Sequence, residues 1–134
     1  MTDFLNFKTL KRPASPNTYL VAPHGLCEHA EIDDASPVIE MSARGLFSTL
    51  SEMIAQERHW VDLEADAETL RLKFVAKTPL LKFKDDVDIM VIAPDTTTDV
   101  GVMLAIYSRS RVGYSDMGAN RKRVSRILQE LTIK

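Results

Sequence analysis

The sequence predicts an α+β fold: one antiparallel sheet of about five strands with two helices packed on one face, in the order β-α-β-β-β-β-α, preceded by an extended N-terminal arm. Three observations carry this expectation. Two segments place apolar residues at helical spacing, four segments between them alternate apolar and polar residues, and the links joining those four are short and polar or proline-bearing, which favours antiparallel neighbours.

The arm comes first. Residues 12–37 hold four of the six prolines, at 13, 16, 23 and 37, and show no useful helical or strand period. Each proline fixes its own φ and biases the preceding residue toward extended backbone, so residues 1–36 are expected to run along the surface of a domain spanning 37–134. Tyr19, Leu20, Val21 and Leu26 give the arm something to dock with. Residues 37–41 form a short β-like run. Ser42 then stands as N-cap of a helix from Ala43 to about Gln56, whose Leu46, Phe47, Leu50, Met53 and Ile54 form one apolar stripe. Strands are expected over His59–Leu63, Thr69–Lys77, Lys84–Ile92 and Asp99–Arg109. After a turn at Gly113, Ser115 or Asp116 caps a second helix with a stripe of Met117, Val124, Ile127, Leu128 and Leu131.

Alternation in the three longest strands separates two faces. Leu70, Leu72, Phe74, Val87, Ile89, Val91, Val102, Leu104 and Ile106 are expected under the helices. The opposite face carries Arg71, Lys73, Val75, Lys77, Asp86, Asp88, Met90, Ile92, Met103, Tyr107, Arg109 and Arg111. Antiparallel pairing puts Asp86 and Asp88 opposite Val75 and Lys73, and near Tyr107 and Ala105. The patch Met90, Ile92, Met103 and Tyr107 suits either a second copy or the arm as its cover.

The composition sets bounds on function. At 134 residues, 45% hydrophobic and 27% charged, the chain has the profile of one globular domain. A single cysteine, Cys27, forbids an internal disulfide, the N-terminus lacks the apolar core of a signal peptide, and no apolar run is long enough to span a bilayer, so a cytoplasmic location is expected. The net charge of -2 is unevenly placed: between residues 109 and 126, six cations face only Asp116, giving that stretch +5 and the remainder -7. Nucleic acid is disfavoured, because a lone basic stretch lacks aromatic interleaving or a recognised motif.

The residues Phe83-Lys84-Asp85-Asp86-Val87-Asp88 and Tyr107-Ser108-Arg109-Ser110-Arg111-Val112-Gly113-Tyr114-Ser115-Asp116-Met117-Gly118-Ala119-Asn120-Arg121-Lys122-Arg123-Val124 form a long, specific pattern. With Arg12-Pro13, Pro16-Asn17 and Leu20 to Pro23, they make the chain resemble a bacterial and plastid family of uncharacterised proteins, domain of unknown function 1499. The resemblance implies that the arm, the Asp85-Asp86 pair and the Arg/Asn loop belong to one constellation, and it supplies no activity. Where the family's pattern carries cysteine after the Pro-Asn pair, this chain has Thr18. The element order is similar to that of the TATA-binding-protein fold and its helix-grip relatives.

The candidate anion site is the loop from Arg109 to Arg123, with Arg109, Arg111, Tyr114, Ser115, Asn120, Arg121 and Arg123 as its residues. Guanidinium forks beside the N–H groups of a helix start suit an anion. Asp85, Asp86 and Asp116 are the structural or acid/base candidates, because they can equally be the internal partners of those arginines. His24, Cys27 and His29 fall within six residues but do not match an established zinc spacing, so no metal is expected, and no motif calls for a cofactor. His59 has no identifiable partner as a base. Nucleophile elbow, phosphate loop and dinucleotide fingerprint are all absent from the sequence. Two functions therefore compete. One is a non-catalytic binding domain for an anionic small molecule, lipid headgroup or acidic protein surface. The other is a small hydrolase or isomerase using Asp85 or Asp86 as base and Arg109 or Arg111 as substrate clamp.

Overall fold

The computed structural model describes residues 3–79, 82–94, 101–113 and 115–132. Its strands are β1 (Thr18–Ala22), β2 (Asp34–Ala35), β3 (Trp60–Asp66), β4 (Arg71–Lys77), β5 (Lys84–Ile92) and β6 (Met103–Ser110), with helices α1 (Ala43–Gln56) and α2 (Ala119–Thr132). The class is α+β, as expected, but the sheet is larger and mixed: six strands in the order β2-β1-β6-β5-β4-β3, antiparallel except for the parallel pair β1 and β2.

Both extra strands come from the arm. β1 lies between β2 and β6, with Leu20, Val21 and Ala22 almost fully buried. Val21 belongs to the core under the helices, whereas Leu20 and Ala22 belong to a second apolar cluster on the opposite face. A strand buried on both faces has no reason to alternate, so Thr-Tyr-Leu-Val-Ala shows no period. The short run at 37–41 is reduced to one bridge, Ile39 with Val102, closed by two hydrogen bonds of 2.8 and 2.9 Å.

α1 starts where the sequence places it. Ser42 Oγ accepts from the Gly45 N–H at 3.0 Å, and Leu46, Leu50 and Ile54 are buried against the sheet. The sheet face under the helices is the expected one, with Leu72, Phe74, Val87, Ile89, Val91, Val102, Leu104 and Ile106 in one core with Val124 and Ile127 of α2.

The opposite face is covered over part of its area. Phe7 and Leu10 are buried there with Leu20, Ala22, Ala105 and Tyr107, so the N-terminal segment forms a third layer over β1, β6 and the distal half of β5. Beyond that cover the face stays open, and β3 is bulged beside the opening: its pairing with β4 shifts between Val61 and Glu64, and Asp62 adopts a left-handed φ of 57°.

Candidate functional site

The period of two along β5 separates neighbours that the sequence pattern places together. Asp85 points under α2, while Asp86 and Asp88 point to the outer face. The arginines divide in the same way, so the loop's charges belong to two distinct arrangements.

On the inner side, Asp85, Ser108 and Asn120 are buried. Arg123 Nη2 lies 2.9 Å from Asp85 Oδ2, with the two side chains 10% and 3% exposed. That oxygen has no directed hydrogen bond among the described residues, so the contact with Arg123 is an ion pair held by charge attraction. Arg123 Nη1 donates to Ser108 Oγ at 3.0 Å and to Asn120 Oδ1 at 2.9 Å. Asn120 Oδ1 also accepts from the Ser108 hydroxyl at 2.6 Å, while its Nδ2 faces the Asn17 carbonyl, Ser110 Oγ and Asp116 Oδ2 at 3.0, 3.0 and 2.7 Å. Asn17 Nδ2 in turn donates to the Gly113 carbonyl at 2.6 Å. Arm, sheet, loop and α2 are joined through these groups.

Asp116 organises the helix start, accepting from the Gly118 N–H at 2.8 Å and the Asn120 N–H at 3.1 Å. Burial opposes its charge, but the hydrogen bonds from Asn120 and Gly118 outweigh that and leave its carboxyl below the usual value. Ser115 Oγ accepts from the Met117 N–H at 3.3 Å. The carboxylate thus meets the helix N–H groups that an external anion would need. Tyr114 lies outside the described residues.

On the outer side, Asp86 pairs across the strands with Val75 and Arg109, and Asp88 with Lys73 and Tyr107. The β4 side has the expected register, and the β6 side is two residues away from it. Each arginine reaches diagonally to the next row. Arg109 Nη1 donates to Asp88 Oδ2 at 2.7 Å, and Arg111 holds Asp86 by two bonds of 2.9 Å, Nε to Oδ2 and Nη2 to Oδ1. The Arg111 fork is the main cause holding the Asp86 carboxyl below its usual range, against a smaller effect of burial. Arg109 and Arg12 both approach the Tyr107 ring, 5.0 and 6.0 Å from its centre. Arg12 also bonds Thr18 Oγ1 and pairs with Asp33, so the Thr18 hydroxyl serves as an acceptor within the arm.

Asp86, Asp88, Arg109 and Arg111 line an open cleft of about 400 Å³ on the outer face. Its carboxylates, Asp3, Asp62, Glu64, Asp86 and Asp88, outnumber its cations, Lys73, Arg109 and Arg111. The cleft is therefore net acidic, which opposes the entry of an anion.

The diagonal pairing leaves the last row of the sheet without carboxylates. Lys77 and Lys84 are direct cross-strand partners, and the Arg111 N–H continues the ladder by donating to the Lys84 carbonyl at 3.1 Å. Like charges directly opposite each other are destabilising. Among the described residues no carboxylate lies within ion-pair distance of Lys77, Lys84, Arg121 or Lys122. Lys84 and Lys122 are chain neighbours of the Asp85–Arg123 pair, which puts their backbones at one end of the molecule, Lys77 and Lys84 on the outer side of the sheet and Arg121 and Lys122 on α2. Sequence reasoning included Arg121 but missed the lysine pair. The signal was available in the Lys77–Lys84 register, since a hairpin that sets Val75 against Asp86 sets Lys77 against Lys84.

Among the described residues no group of three His, Cys, Asp or Glu side chains is arranged to hold a metal, and no helix is long and apolar enough to cross a membrane. Cys27 is half-buried, and burial pushes its thiol up.

The low carboxyl values of Asp86 and Asp116 give an acid-side prediction. A carboxyl whose folded value lies below its unfolded value adds stability above the unfolded value and loses it as pH falls through the folded one. The melting temperature should therefore drop as pH falls below about 4. An Arg111→Ala variant should lose less on the same descent, because its Asp86 has surrendered the stabilised charge. Melting curves taken from neutral pH down to that range compare the two.

Neither the curated proteins nor the solved structures contain a match to this chain. One family model does match, covering residues 11–131, which takes in the arm from residue 11 onward, both arginine arrangements and all but the tip of α2. The chain thus belongs to the family described as protein of unknown function DUF1499.

Proposed function

We propose that this chain is a non-catalytic binding domain that receives an anionic partner at the end of the sheet carrying Lys77, Lys84, Arg121 and Lys122. The observation that supports it most is the Lys77–Lys84 pair, two like charges set opposite each other with no carboxylate among the described residues to relieve them. Arg109, Arg111 and Arg123, the other cations of the loop, already hold Asp88, Asp86 and Asp85. Among the original loop candidates, Arg121 is the arginine left to meet a partner. A phosphate-bearing small molecule, a lipid headgroup and an acidic protein surface share the chemistry this end would recognise.

Catalysis by an aspartate is the weaker reading. A general base working near neutral pH needs a raised carboxyl value, and Arg111 moves Asp86 the other way. Asp85 lies under α2, away from the cleft.

Inorganic tripolyphosphate tests the proposal as a compact polyanion. It should raise the melting temperature in proportion to the logarithm of its concentration once above its dissociation constant. The rise should vanish in about 1 M salt, where charges are screened beyond roughly 3 Å. It should also vanish in a Lys84→Ala, Arg121→Ala, Lys122→Ala variant, whose three positions are exposed and leave the core intact. A shift that persists unchanged in that variant contradicts the proposal.

A further inference from the structure

The same end of the sheet carries large apolar side chains that are exposed among the described residues. Four large hydrophobic residues are exposed among those described: Val38, Phe83, Val112 and Met117. Three of them gather here. Phe83 closes the β4–β5 hairpin through reciprocal bonds with Thr78, at 2.8 and 2.9 Å. Phe83 and Val112 each lie one residue beyond the Lys84–Arg111 backbone bond, 49% and 62% exposed. Met117 stands in the turn before α2, 87% exposed.

Met117 is held there against a backbone preference. Its φ of 54° is left-handed, a conformation a long side chain rarely adopts, and the turn is fixed by Ser115 Oγ and by the Asp116 carboxylate. Exposed Lys82 and Lys84 flank Phe83 in the chain, and exposed Arg121 and Lys122 follow Met117 in the first turn of α2. Neither the outer cleft nor the two concave surfaces beside the helices is lined by Phe83, Val112 or Met117.

We infer that this end seats on an anionic phospholipid bilayer, with Phe83, Val112 and Met117 entering the interface and the neighbouring lysines and arginine meeting the headgroup phosphates. The inference rests on the anion-binding reading above and names its partner. Apolar tips flanked by long cationic side chains complement a soft, planar, negatively charged surface, because the tips leave water while the charged ends remain among headgroups. An acidic protein surface would satisfy the cations and leave the tips in water unless it also supplied an apolar recess.

Vesicle sedimentation tests this with the full chain. Vesicles of phosphatidylcholine containing about 30% phosphatidylglycerol should bind at least about tenfold more protein than phosphatidylcholine alone, given the attraction of basic segments to anionic leaflets. Phe83→Ser, Val112→Ser, Met117→Ser should weaken vesicle binding several-fold and retain the melting shift with tripolyphosphate. Lys84→Glu, Arg121→Glu, Lys122→Glu should abolish both. Vesicle binding indifferent to the serine substitutions overturns the insertion of the apolar tips. A tripolyphosphate shift or binding to poly-L-glutamate without vesicle binding overturns the bilayer as partner while leaving the anion reading standing. Loss of every response in the wild-type chain overturns both.

Discussion

Arg123→Met is expected to destabilise the protein by about 3 to 5 kcal/mol, the range for removing one partner of a buried ion pair. The cost arises at Asp85, whose side chain is 3% exposed and pairs with this guanidinium. Ser108 and the Asn120 carbonyl oxygen lose a donor at the same time. Replacing both charges, as Asp85→Leu with Arg123→Met, should recover much of the loss, because a well-packed apolar pair avoids the desolvation that the charges incur. Chemical denaturation of the two single variants and the double variant measures the coupling. Single variants as stable as the wild type would show that the contact holds nothing together.

Asn120→Ala comes next in size, with an expected loss of roughly 2 to 4 kcal/mol from a buried amide that serves several partners at once. Its two N–H groups face three acceptors, so one bond is shared, and its oxygen accepts from both Ser108 and Arg123. Removing it disconnects α2 from the Asn17 carbonyl, and with it the start of β1. Hydrogen exchange should therefore quicken in β1 along with the fall in global stability, since the strand loses a tie to the helix. If exchange rises only within α2, the network does not join the arm to the domain.

The helices and the four later strands were legible because each carries one strongly apolar set at a fixed period, which persists in β6 although Ala105 and Tyr107 are buried on its other face as well. β1 was not, since Leu20 and Val21 are buried on opposite faces and the run between Pro16 and Pro23 reads only as extended chain. Register was legible between β4 and β5, which are joined by a short hairpin. It was two residues off between β5 and β6, where the connection is longer and sets no fixed pairing. Alternation already assigns Asp85 and Asp86 to opposite faces, yet the contiguous pattern Lys-Asp-Asp-Val-Asp suggests one carboxylate cluster. Which arginine meets which aspartate depends on the diagonal reach of Arg109 and Arg111, a property of side-chain direction that spacing does not contain.

The account turns on a division of labour among the loop's cations: Arg109 and Arg111 fasten carboxylates, while Lys84, Arg121 and Lys122 face a partner. The most direct test sets an Arg109→Ala, Arg111→Ala variant beside the Lys84→Ala, Arg121→Ala, Lys122→Ala variant and measures the melting shift each shows with inorganic tripolyphosphate. The account predicts that the shift survives in the first, whose baseline stability is lower, and disappears in the second. A shift lost with Arg109 and Arg111 but kept without Lys84, Arg121 and Lys122 would contradict it and return the anion to the outer cleft.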